Sequence, residues 1–138
     1  MKKLLFCLAL PTSLFMYACS KDNATTPAKP PSLVGLWVGT YTADNENVGN
    51  LYESFDLKAD STVQVQSQGA DGNTYYGSGT WSVSGTSFTT TYTENNLGNA
   101  GKPATFTGAW NASTMQISGN WQTPTHDASG AFEVTLVP

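Results

Sequence analysis

The 138-residue chain has no arginine, a single histidine, His126, and two cysteines, Cys7 and Cys19. Lysine supplies all six of its cationic side chains, two of them at Lys2 and Lys3. With so few scattered cations no basic patch can form to displace the counterions of a phosphate backbone, which argues against nucleic acid as a partner. One histidine with no serine or cysteine motif around it makes no catalytic triad, and a zinc centre needs several His or Cys ligands. Neither enzymatic activity nor a cofactor nor a metal site is therefore expected. Asp44-Asn45-Glu46-Asn47 and Asp71-Gly72-Asn73 have the composition of calcium loops but not the spacing of an EF-hand, and acidic turns are common. Also missing is any amphipathic helical stretch of useful length.

What is present begins with a positive n-region, Met1-Lys2-Lys3, and an apolar run from Leu4 to Ala18 broken by Pro11, Thr12 and Ser13. This is the layout of an export signal, shorter than the roughly 20 apolar residues a transmembrane helix requires. Met16-Tyr17-Ala18-Cys19 resembles the lipobox of bacterial lipoproteins, although Tyr17 is bulkier than the usual residue there; the other reading is an ordinary secretory signal. Cys7 would leave with the signal, so Cys19 becomes the only cysteine of the mature chain and no intramolecular disulfide can form. A lipidated Cys19 is an anchor rather than a liability. Ser20-Lys21-Asp22-Asn23 is similar to the export tag of Bacteroidota-type surface lipoproteins, or is simply the start of a solvated linker. The expected organisation is residues 1–18 as signal peptide, 19–32 as the lipidated cysteine and a Pro-rich linker, and 33–138 as one domain. The expected address is the outer membrane of the cell envelope, on its periplasmic or cell-surface face, with lipid as the sole membrane contact.

From Leu33 onward the chain is rich in Thr, Val, Tyr, Phe and Trp, with Gly, Asn, Asp or Ser clusters every 8 to 12 residues. That spacing predicts an all-β domain of eight strands: 34–42, 51–58, 62–68, 74–83, 87–93, 104–110, 114–121 and 131–137. The connections after the second, fourth and sixth strands are tight. Those after the first, fifth and seventh are long, and 69–73 is intermediate. In an up-and-down meander successive turns fall at opposite ends, so the long loops gather at one end of an eight-stranded antiparallel β-barrel and the hairpins close the other.

Gly35-Leu36-Trp37 at the start of the first strand matches the Gly-x-Trp signature of lipocalins, and the whole domain resembles the lipocalin-like (calycin-type) domains of small bacterial lipoproteins. The departures are the arginine that lipocalins lay over that tryptophan, the disulfide common among them, and a C-terminal helix. The resemblance implies a barrel that binds a small hydrophobic or amphipathic ligand.

Alternation places Trp37, Trp81, Val83, Phe88, Trp110, Met115 and Leu136 inward near the closed floor. It places Gly39, Gly77, Gly79, Gly108 and Gly119 at mid-depth, where they either leave a void or relieve crowding. Tyr41, Glu53, Tyr75, Tyr92, Phe106, Trp121 and Phe132 would ring the open mouth as candidate ligand-binding residues. Glu53, a charge on an otherwise apolar strand face, either reaches solvent from near the start of its strand, the favoured reading, or is buried and must be hydrogen-bonded or titrate upward. Two functions remain open. One is a binding protein with an open mouth; the other is a surface interaction or inhibitor module with protein partners, acting through its long loops on a filled barrel.

Overall fold

A computed structural model describes residues 32–44, 46–47, 49–95, 101–124 and 127–138. The expected signal peptide, Cys19, the linker up to residue 31 and His126 lie outside the described residues. Eight strands follow one another: β1 (Gly35–Tyr41), β2 (Leu51–Leu57), β3 (Thr62–Gln68), β4 (Thr74–Ser84), β5 (Ser87–Glu94), β6 (Pro103–Asn111), β7 (Gln116–Gln122) and β8 (Ser129–Leu136). Each pairs antiparallel with the next, and β8 returns to β1 through Trp37↔Leu136 to Tyr41↔Phe132, closing an up-and-down barrel with no free edge.

Period-two alternation drives this arrangement. In β3 the buried residues are Val63, Val65 and Ser67 and the exposed ones Gln64, Gln66 and Gln68. In β5 Phe88, Thr90 and Tyr92 point inward while Thr91 faces out. The outer wall thus carries amides and hydroxyls that water satisfies, the reverse of the apolar outer band of a membrane-spanning barrel.

The tight connections, residues 58–61, 85–86 and 112–115, lie at the floor together with the start of β1, and the longer ones lie at the mouth. The lower interior is filled. Trp37, Phe55, Leu57, Val63, Phe88, Ile117 and Val134 are all fully buried, and each such side chain contributes roughly 1.5–3 kcal/mol by leaving water. The Trp37 indole donates to the carbonyl of Leu33 at 2.7 Å and meets the ring of Trp110 edge-on at 6.1 Å. Leu33, itself buried, thereby seals the floor from the N-terminal side.

Three elements depart from the sequence reading. Val83 is 40% exposed rather than part of the floor. Beyond Thr80 the long strand β4 has outrun its ladder with β3 and is paired along its length only with β5, so no interior lies beside Val83. The second departure is at β7, which begins at Gln116 rather than residue 114, because the preceding turn ends with Met115 in the left-handed region at φ 51°. Lastly, β8 begins two residues earlier than expected, at Ser129, drawn on by the bond from the Asp44 amide to the Ser129 carbonyl at 2.8 Å.

The inward glycines relieve crowding. A Cβ on Gly108 would lie 2.3 Å from the Ser118 carbonyl oxygen and one on Gly119 2.1 Å from that of Thr107, where β6 and β7 cross closely.

Candidate functional site at the barrel mouth

Above the filled floor the mouth opens into two overlapping cavities of about 360 and 350 Å³ that share Tyr41, Ser67, Glu94 and Trp121 as lining. The outer one reaches Tyr75 and Asp71, and the inner one descends to Glu53, Tyr92 and Phe106. One wall is a continuous aromatic surface. Tyr92 stacks on Phe106 at 5.7 Å, Phe106 on Trp121 at 6.0 Å, and Tyr41 meets Trp121 edge-on at 5.5 Å.

Backbone contacts lock these rings in place. The Trp121 indole reaches from β7 past β8 to donate to the Thr42 carbonyl at 2.8 Å, a path open only because Gly130 has no side chain: a Cβ there would sit 1.7 Å from that same oxygen. Gly77 likewise makes room for the Tyr92 ring, which passes within 2.4 Å of where its Cβ would be. The Tyr41 hydroxyl donates to the Gln68 carbonyl at 2.8 Å, and the Tyr75 hydroxyl to Asp71 Oδ2 at 2.7 Å. Asp71 also accepts from the Asn73 amide and side chain, so its carboxylate is held below the usual range by Tyr75 first and Asn73 second. This segment, like a calcium loop in composition, is an Asx turn that braces Tyr75.

Six of the seven residues placed at the mouth by alternation line the cavities: Tyr41, Glu53, Tyr75, Tyr92, Phe106 and Trp121. Phe132 does not. Because β8 starts at Ser129, the inward rim position falls to Gly130, and Phe132 drops one layer to pack against Phe55 at 6.0 Å and Phe106 at 5.1 Å.

Glu53 does not reach solvent. Its exposure is 1%, and its Oε1 is buried with no hydrogen-bond partner among the described residues. Its cross-strand neighbours are Gly39 and Ser67, both small, while Leu51 and Tyr41 pair in the next layer towards the mouth. Burial pushes its carboxyl well above 4.5; the Ser54 amide draws it partly back, and the charge of Glu94 raises it further. Burial also raises the Tyr92 hydroxyl, with the charges of Glu53 and then Glu94 adding to it. Tyr41 is raised by burial and then by Glu53, Glu46 and Glu94.

Glu94, Lys102 and Asp127 also line the cavities without having been singled out from sequence, and Glu46, noted there only for the calcium-loop composition of its turn, joins them. For Glu94 the signal was there, one step further along the inward series Thr90, Tyr92.

A raised carboxyl means that folded Glu53 holds its proton to a higher pH than it does unfolded, so the folded state binds more protons above pH 4.5 and stability falls as pH rises through that window. Glu53→Gln removes this dependence. In urea unfolding followed across pH, the variant should gain on the wild-type protein progressively above pH 4.5; a stability difference that does not change with pH would contradict the burial of the carboxyl.

No protein-family model matches the chain, and no curated protein matches it. Among solved structures it is similar to a redesigned β-barrel, mFAP1, determined bound to DFHBI, with 21% identity over 75% of this chain and 94% of that one and a TM-score of 0.57. What the two chains share is the fold, an eight-stranded closed antiparallel β-barrel.

Proposed function

We propose that this protein binds a small amphipathic molecule at the open end of its barrel, as a lipocalin-like lipoprotein of the cell envelope. The observation that carries the binding reading is the division of the interior: a filled floor below, and above it a cavity of about 350 Å³ with an aromatic wall and a few convergent polar groups. A barrel serving only as scaffold for its loops gains nothing from an open upper half. The solution of a similar barrel with DFHBI bound supports the same reading.

The tether follows from the sequence around Cys19. A lipid on that cysteine would hold the domain by its N-terminal side, where Leu33 seals the floor, and the mouth would face away from the outer membrane. Replacing Cys19 by alanine should release the protein from membranes, and unchanged membrane association would refute lipidation.

Binding is tested with Nile red, an uncharged dye whose emission rises on leaving water. The protein should enhance it, and Ala128→Trp, which places an indole at the rim of both cavities, should abolish the enhancement without lowering the unfolding midpoint. Equal enhancement by the variant, or none by the wild-type protein, would remove the mouth as a binding site.

A further inference from the structure

Half of the chain's ten carboxylates border the mouth: Glu46, Glu53, Asp71, Glu94 and Asp127, against a single ammonium, Lys102. Acidic side chains at a rim are ordinarily no more than a solvated surface. Glu53 is different, because its carboxyl group lies at the inner end of the cavity, is 1% exposed, and has one oxygen that no group among the described residues satisfies. Leaving a buried carboxyl oxygen without a donor is among the costlier arrangements a small fold can hold, and glutamine of nearly the same shape would at least remove the ionisable charge. A donor from outside the protein completes it.

We propose that the mouth cavity takes an organic cation, an amine whose ammonium donates to Glu53 Oε1 while its hydrocarbon or aromatic body lies along the Tyr92–Phe106–Trp121 wall. This rests on the small-molecule reading and narrows it to one charge class. An ammonium offers three donors and no acceptor, matching a site whose unsatisfied atom is an acceptor. The faces of Trp121 and Tyr92 add cation–π attraction in a partly desolvated setting. The carboxylates of Glu46, Glu94 and Asp127 in the same lining favour positive charge and repel an anionic head group such as that of a fatty acid.

The groups that face Glu53 are Tyr41 on β1, Ser67 on β3, and Tyr92 and Glu94 on β5, with Glu46, Lys102 and Asp127 at the rim. None of the four strand residues is a cation that would already neutralise it. When the ammonium enters, the proton on Glu53 leaves to solvent and an ion pair forms. Affinity therefore rises with pH until the amine itself loses its proton at about 10.

The test is calorimetric titration of the purified protein with phenethylamine, phenethyl alcohol and hydrocinnamate, which share a ring and differ in charge. The amine should bind roughly tenfold or more tightly than the alcohol, and hydrocinnamate most weakly. Glu53→Gln should cut affinity for the amine by roughly ten- to a hundredfold while leaving the alcohol unchanged. Since that substitution should not lower stability, lost binding cannot be put down to unfolding. Glu94→Gln, nearer the rim, should weaken the amine less. The assignment is overturned if the alcohol or hydrocinnamate binds as tightly as the amine, or if Glu53→Gln binds the amine unchanged. If none of the three binds while Nile red does, the charge class falls and the cavity stands; if Nile red fails as well, both fall.

Discussion

Replacing Phe55 by alanine is expected to destabilise the barrel by about 3–5 kcal/mol, measured as a fall in the urea midpoint. Phe55 stands on β2, is fully buried, and its ring meets Phe106 at 5.2 Å, Phe132 at 6.0 Å and Phe88 at 6.3 Å. Those partners belong to β6, β8 and β5, so one ring ties β2 to walls that its own ladders, with β1 and β3, do not reach. Rings held on four separate strands of a closed barrel cannot collapse into the space without bending the ladders, and the cavity term is correspondingly large. Set against the 5–15 kcal/mol typical of a whole domain, the loss leaves a marginal fold. A cost below about 1 kcal/mol would mean that the lower interior is not close-packed.

The second large effect is expected at the seam. Gly39 pairs with Val134 across the β1–β8 ladder that closes the barrel, and a Cβ there would lie 1.9 Å from the Glu133 carbonyl oxygen and 2.7 Å from Val134 Cα. Both obstacles are backbone, so no side-chain rotation relieves them, and Gly39→Ala must push β8 away from β1. The cost should lie at the upper end of overpacking, about 3 kcal/mol, with amide exchange accelerating first along β1 and β8. Gly49→Ala serves as the control, since nothing lies within 4 Å of its Cβ position; it should change stability by no more than ~0.5 kcal/mol. Equal behaviour of the two variants would contradict the tight closure.

Much of this was legible in the chain because barrels are built from local signals. Alternation in Val63, Val65 and Ser67 fixes a face, and the lengths of the connections fix which end is open. Depth was harder to read. Whether an inward residue stands at the rim or one layer down depends on where its strand begins. The two extra residues of β8 moved Phe132 into the core and gave the rim to Gly130. Val83 failed for a related reason, since a strand can outrun its neighbour and its alternation then points at nothing. The burial of Glu53 depends on small neighbours, Gly39 and Ser67, brought beside it by pairing between strands, and no local pattern reports that. The acidic character of the mouth was scattered over separate loops and strand ends and becomes one feature only when the barrel closes.

The central claim is that the mouth, above a filled floor, is where a small molecule binds. Amide and indole chemical shifts of the purified protein, followed during titration with phenethylamine, test it most directly. The predicted result is movement of Ser67, Tyr92, Glu94 and the Trp121 indole N–H, with Ala59, Gly85 and Ala112 in the floor turns unmoved. Movement centred on the floor turns, or no movement at the mouth with either phenethylamine or Nile red, would contradict it.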